Sequence, residues 1–458
     1  MNQAASNFIA KSTIKSSDLN HRQKINFNIG KYNAVVPQGK LQFDDILAAR
    51  EIAKNTKHKA IENLDVYLEA FEKNITKRGA KVIWAEDDVQ ALSVIGKICK
   101  EKNCKTLVKS KSMVTEEIHL NAYLEKNGID SVETDLGEYI QQLDGEAPYH
   151  IVTPAMHKSK EDVAKLFADK LGVPGGLSPE ELTLVARKNL RKKYVEAEVG
   201  VTGANFIIAD IGAVAVTENE GNGRLSCAMP KTHIVVVGIE KVIPSINDLA
   251  LFWPLLSTFG TGQKLTVYNT IITGPKQANE IDGPEEMFVI LLDNGRTNLL
   301  ANPTTREALY CIRCGACLNA CPVYKNIGGH SYGTTYSGPI GSVITPYLSG
   351  MDEFKHLSNA SSLCGNCTEV CPVRINLHEL LLDNRHEAVK AGTSSLAERI
   401  SWKAWRTASL SRMMMNFGNG NLKNKVVNNL FTGWSKHRAP LHFSEKTFNQ
   451  MWKEANRN

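Results

Sequence analysis

No run in this 458-residue chain is both apolar and long enough to cross a membrane; the best candidate, 249–259, is short and carries Pro254. An apolar signal segment is also missing. Residues 1–15 are polar, hold Lys11 and Lys15, and meet no acid before Asp18, so a flexible tail and a reduced, cytoplasmic setting are expected. Five glycines (Gly200, Gly203, Gly212, Gly221 and Gly223) do not keep a G-x-G-x-x-G spacing, which argues against a Rossmann nucleotide site and leaves them to turns. Walker A, Ser-His-Asp, H-E-x-x-H and C-x-x-C-H patterns are absent as well, the last excluding covalent haem. The net charge of +6 is too small to imply nucleic acid.

Cysteine is where the chain is rich. Seven of its ten cysteines fall in two blocks, Cys311-Ile-Arg-Cys314-Gly-Ala-Cys317-Leu-Asn-Ala-Cys321-Pro322 and Cys364-Gly-Asn-Cys367-Thr-Glu-Val-Cys371-Pro372. The first is the full bacterial ferredoxin run C-x2-C-x2-C-x3-C-P; the second lacks its leading cysteine. In paired runs, three close thiolates grip one cluster and the fourth reaches across to the other. That rule assigns Cys311, Cys314, Cys317 and Cys371 to a first cluster, and Cys321, Cys364 and Cys367 to a second. Zinc would want two separated C-x2-C pairs, and a disulfide framework belongs to short secreted chains. The absent eighth ligand falls at Ser361. The second site is therefore open to three outcomes: a 3Fe–4S cluster, a 4Fe–4S cluster with a non-cysteine ligand (Ser361 first, His330 second), or a thiolate from elsewhere. Two 4Fe–4S clusters are the expectation. Cys99, Cys104 and Cys227 are the spare thiols, with Cys99 and Cys227 read as packing residues.

With 42% hydrophobic and 22% charged residues, the chain has material for two or three domains. Residues 1–60 read as an N-terminal extension with helical spacing at 43–52, and a helix is expected at 60–75. From 61 to 300 strands alternate with helices: strands at 81–85, 105–108, 131–134 and 149–153, with helices at 87–102, 114–126 and 160–170. A long charged helix follows at 178–198, then short β-branched strands at 205–210, 213–216, 233–237 and 264–268, with a turn at 219–224 and a strand at 287–292. This order predicts an α/β domain with a mostly parallel sheet. Residues 301–385 form the helical, ferredoxin-like two-cluster segment. The tail, 386–458, carries twelve Lys or Arg against four Asp or Glu, and four of the six tryptophans: Trp402, Trp405, Trp434 and Trp452. An amphipathic helix is expected at 396–415, packed back on the cluster domain, docked to an acidic partner or, third, laid on an anionic membrane surface.

The order of α/β domain, two cysteine blocks and basic tail resembles the lactate-utilisation protein B family. Val201-Thr-Gly-Ala-Asn205 and Ala209-Asp-Ile-Gly-Ala213 look like the signature of that family's N-terminal domain. The resemblance implies a fold similar to the ribose-5-phosphate isomerase and CoA-transferase group. It also implies a role as the iron–sulfur subunit of a three-part cytoplasmic system oxidising L-lactate to pyruvate, with the other subunits and a redox protein as partners. The expected protein is thus a non-catalytic electron carrier, with no site for the organic chemistry itself. Two other readings stay open: an enzyme whose α/β domain binds an organic acid or phosphorylated substrate, and a cluster-based redox sensor. Lys109-Ser-Lys-Ser112, between a strand and a helix, reads first as a helix cap and second as an anion site. The pairs Glu116–Glu117 and Glu285–Glu286 read as solvated surface.

Overall fold

Strand residues alternate between two faces, and here both faces are buried. In the computed structural model, which describes residues 2–430 and 439–456, strand β7 (Thr232–Gly238) buries all seven of its residues. It lies in the middle of a six-stranded sheet ordered β1-β10-β7-β4-β2-β3, in which every pairing is parallel. The other members are β1 (Lys81–Ala85), β2 (Thr106–Lys109), β3 (Asp130–Glu133), β4 (Val199–Thr202) and β10 (Glu286–Leu292). Val289 pairs with Val235, and the period of two sorts the side chains. Val235, Val237, Met287, Val289 and Leu291 enter one core, whereas Ile234, Val236, Phe288, Ile290 and Leu292 enter another. Burial on both faces explains the near-continuous apolar runs of β7 and β10.

A second, four-stranded sheet, β8-β5-β6-β9, comprises β5 (Phe206–Ile208), β6 (Ala213–Glu218), β8 (Val242–Ile243) and β9 (Tyr268–Ile272). Its β5–β6 and β6–β9 pairs are antiparallel. The strand at 287–292 belongs to the main sheet, as β10, so the α/β region extends past Pro275.

Several local expectations change. Residues 149–153 form no strand, because His150 Nδ1 accepts from the Val152 and Thr153 amides and holds the segment as a loop. The helix expected at 114–126 is two, Met113–Glu117 and Leu120–Lys126, broken where His119 takes φ +53°. The strand expected at 264–268 begins at Tyr268 instead. Part of the turn at 219–224 continues as a helix, Asn222–Ala228.

The N-terminal segment expected to be a flexible tail is helical, Gln3–Ser17 and Leu19–Lys40. Asn2 accepts from the Ala5 amide as N-cap, and its own amide nitrogen donates to the carbonyls of Asp352 and Glu353. Phe8 packs edge-on against Tyr332, while Ile25 and Ile29 enter the core that also contains the thiol segment. Helices Ile46–Glu62 and Leu64–Thr76 complete this layer.

Residues 2–388 and 389–456 fall in separate compact units. The second contains helices Leu396–Leu410, Arg412–Asn416, Gly420–Leu430 and Phe448–Ala455. Within it, the Asn424 and Asn428 amides each exchange paired hydrogen bonds with the backbone at Phe443 and Leu441. Trp402 and Trp405 meet edge-on and are 60% and 63% exposed. Trp434 lies outside the described residues. Among the described residues, no helix is long and apolar enough to cross a membrane.

Candidate iron–sulfur site

The first cysteine block is wrapped by backbone conformations few residues tolerate. Arg313 takes φ +61° and Gly315 φ +79°, turning the chain sharply on either side of Cys314. Helix Ala316–Ala320 then carries Cys317, and Cys321 caps a following helix, Pro322–Ile327, by accepting from the Tyr324 amide at 3.5 Å. Pro322 opens that helix at its first position, where its missing N–H costs nothing.

The second block repeats the geometry. Leu363 takes φ +55° and Gly365 φ +79°, helix Asn366–Glu369 carries Cys367, and the Cys371 amide bonds the Thr368 carbonyl as that of Cys321 bonds Leu318. The correspondence reaches Ser361. Cys311 Sγ accepts from the Arg313 amide at 3.4 Å, and Ser361 Oγ accepts from the Leu363 amide at 3.0 Å. Serine therefore stands in the local geometry where the first block has its leading cysteine.

The fold sorts the seven block thiols into two sets. Cys311, Cys314, Cys317 and Cys371 line one narrow cavity together with apolar residues such as Ile312, Ile340 and Val373. Burial pushes the Cys317 thiol far up, and Cys311, Cys314 and Cys371 push it further. Burial likewise raises Cys314, with Cys371 the next cause, and lifts Cys371 to about 12. Cys321, Cys364 and Cys367 form the other set. Burial raises Cys367 to about 11, helped by Cys321 and then Cys364. Cys364 alone is exposed, and the Asn366 amide, then Ser362, lowers its pKa.

Backbone amides point at these sulfurs. Besides those already named, Ile375 donates to Cys371 at 3.4 Å. Arg50, from helix Ile46–Glu62, donates to the Cys371 carbonyl at 2.9 and 3.1 Å and to the Glu369 carbonyl at 2.7 Å, clamping the second block.

Charge around the first set tests whether a cluster fits. Lys57, Lys241 and Arg313 all feel Cys311. Buried Arg296 bridges Glu240 (2.6 Å) and Glu117 (2.9 Å), and Glu240 reaches Arg313 at 3.4 Å. Lys241, Arg296 and Arg313 face two carboxylates, leaving one positive charge in excess before Lys57 is counted. Burial draws Lys57 down to about 7, and among the described residues its ammonium donates only to the Glu240 and Val242 carbonyls. An anionic group bound by four thiolates supplies the missing negative charge, so the residues present fit an iron–sulfur cluster.

Glu117 thus corrects the surface reading of its pair: it is buried, with Arg296, Tyr336 and Asn294 donating to it. Glu116 pairs with the buried Lys109, and Glu286 is half-buried between Lys81 and Lys102. Ser112 caps its helix by accepting from the Thr115 amide. His330 is engaged elsewhere: its Nε2 meets the Ala147 carbonyl at 2.7 Å and its ring packs on Tyr149. Cys99 and Cys104 pack together in the core that holds Ile234 and Val236, and Cys227 lies against His233. Arg50, Lys57, Glu240 and Arg296 had no signal in the sequence, since isolated charges on helices and loops read as surface.

A model of the LUD domain matches residues 68–292, and a model of the 4Fe-4S dicluster domain matches residues 307–375. Lactate utilization protein B of Bacillus velezensis is 48% identical over 371 residues, 81% of this chain and 78% of that protein. Its counterpart in Bacillus subtilis is 48% identical over 81% of this chain and 77% of its own length, and that of Bacillus cytotoxicus 44% identical over 88% of each. A crystal structure of a DUF162 family protein from Deinococcus radiodurans aligns with 50% of this chain and 98% of its own, at 14% identity and a TM-score of 0.29, too low to argue from. The architecture is a LUD domain with an α/β sheet followed by a 4Fe-4S dicluster domain, and the chain belongs to the lactate utilization protein B family.

Proposed function

We propose that this protein is the iron–sulfur electron-transfer subunit of a cytoplasmic system that oxidises L-lactate to pyruvate, handing electrons between partner subunits through two 4Fe–4S clusters. We read its α/β domain as a relative of the ribose-5-phosphate isomerase and CoA-transferase group. The observation that carries the proposal is the exchange between blocks: Cys371 of the second sits with Cys311, Cys314 and Cys317, and Cys321 of the first with Cys364 and Cys367. That is the arrangement by which paired ferredoxin runs hold two clusters side by side.

In this reading Cys311, Cys314, Cys317 and Cys371 would hold the first cluster. Cys321, Cys364 and Cys367 would hold the second, with Ser361 at its fourth corner. A bound cluster supplies one-electron transfer. The chain's own contribution is electrostatic and steric. Lys57, Lys241 and Arg313 favour the reduced, more negative state of the first site, and the amides aimed at Cys311, Cys321 and Cys371 do the same at the sulfurs. Exposed Cys364 marks the side on which a redox partner approaches.

The test is an anaerobic assay of the full chain with and without its co-purifying partners. The carrier alone accepts electrons from dithionite but reduces no dye when given L-lactate, and the complex oxidises lactate. Dye reduction by the isolated chain with lactate makes it an enzyme instead.

A further inference from the structure

A second cavity, of about 250 Å³, opens at the carboxyl ends of the parallel strands. Within the six-stranded sheet the chain leaves β2 for β3 on one side and leaves β4 for β7 on the other. Those adjacent strands therefore mark a topological switch point, the place where open parallel sheets bind ligands. The loops that follow them, at Ser110–Ser112 and Gly203–Asn205, line the cavity. Gly203 keeps it open: a Cβ there would stand 2.7 Å from Ser112 Oγ. Another wall is the first thiol loop, at Arg313 and Cys314.

The lining is electrically two-ended. Lys241 is 5% exposed, and its ammonium has no hydrogen-bond or ion-pair partner among the described residues. Arg313 Nη1 is buried and equally unbonded. Lys111, by contrast, is spent, donating to the Val152 carbonyl at 2.9 Å and lying 3.6 Å from Asp135. Around it stand Asp135, Glu218 and Glu220, which repel any second negative charge. The volume equals about eight waters at about 30 Å³ each, room for a small acid with some ordered water.

We propose that this cavity binds a small monocarboxylate bearing an oxygen on its second carbon, a 2-hydroxy or 2-oxo acid, with its carboxylate on Lys241 and Arg313. This deepens the electron-transfer reading and rests on it for the choice of acid. Phosphate esters and dicarboxylates are rejected by the acidic wall. Ser112 Oγ accepts from a backbone amide and keeps its own proton to donate to the ligand's second oxygen.

The experiment is isothermal titration calorimetry on the full, iron-loaded chain with L-lactate, pyruvate, propionate and inorganic phosphate, with the EPR spectrum of the dithionite-reduced protein recorded alongside. L-lactate or pyruvate binds and perturbs the EPR spectrum, because the cavity touches Cys314. Propionate binds about tenfold or more weakly, and phosphate gives no heat. Lys241→Met lowers affinity about tenfold or more at unchanged iron content, the loss expected for a charge-assisted hydrogen bond. Should that variant fail to load iron, Gly203→Ala closes the gap beside Ser112 and produces the same loss. Absence of heat at millimolar acid with full iron overturns the proposal, as does equal binding by propionate or by both variants. A chain that binds the acids but takes up no iron under anaerobic reconstitution leaves the cavity standing and defeats the electron-transfer reading.

Discussion

Replacing Ser361 with cysteine tests whether the second site is weaker than the first because of a single atom. The openings of the two loops match in three features: positive φ at 313 and 363, positive φ at 315 and 365, and an amide donated back to the leading side chain. The amide-to-acceptor distance grows from 3.0 Å at Ser361 to 3.4 Å at Cys311, as a larger sulfur requires. A thiol at 361 therefore enters the loop without moving its backbone. Ser361 is only half-buried, so the folding cost should stay within about 0.5 kcal/mol. The assay is iron content, EPR and air stability of anaerobically prepared protein. Wild type is expected to show two unequal clusters, the second losing iron first in air; Ser361→Cys should hold total iron at about eight in air and equalise the two. Two identical, equally air-stable 4Fe–4S signals already present in the wild type would refute the reasoning.

The crossover itself predicts that Cys371→Ser removes the signal of the first site and Cys321→Ser that of the second; EPR showing the reverse overturns the assignment. Glu240 is held at about 2, below its ordinary 4.5, by Arg296 and Arg313 against its own burial. It therefore contributes about 3 kcal/mol of stability above pH 4.5, lost as pH falls toward 2, and Glu240→Gln should cost about 3–5 kcal/mol near neutral pH by leaving the arginines unpaired. A thermal-unfolding shift worth less than about 1 kcal/mol refutes that role. Deleting 386–458 should leave both clusters in place and abolish co-purification with an acidic partner, since the exposed Trp402 and Trp405 and the basic residues around them suit an interface. Insoluble or iron-poor truncated protein shows the tail to be structural instead.

The sequence announced the thiols more clearly than the ground they stand on. Fixed spacing is a local property, so the two blocks and most of the parallel sheet could be read directly: β1, β7 and β10 are short apolar runs, and Asp87 caps its helix by accepting from the Gln90 amide, whereas β4 (Val199–Thr202), broken by Gly200, was missed. Position 361 was legible for the same reason, as one step of a repeated loop. What the sequence hid is non-local. Nothing near Gln3–Ser17 reveals that Phe8 will find Tyr332, more than three hundred residues on, so a polar start looked like a tail. Residues 149–153 had the composition of a strand, but a single histidine side chain captured their amides.

Glu117, Glu240 and Arg296 were illegible for a further reason. Each belongs to a different strand-end loop or helix of the α/β region, and only the sheet brings them beneath the first thiol loop. A buried charge resembles a surface charge until its partner is known, because the partner alone makes burial tolerable. The chain's LUD domain is therefore more than a neighbour of the cysteine segment. It supplies a cation for the first site through Lys241, while the cysteine segment supplies Arg313 to the domain's own cavity. Each half is left with uncompensated charge without the other. The two family domains are thus expected to fold and load iron as a single unit, and residues 301–385 expressed alone should hold the first cluster far less firmly than the full chain does.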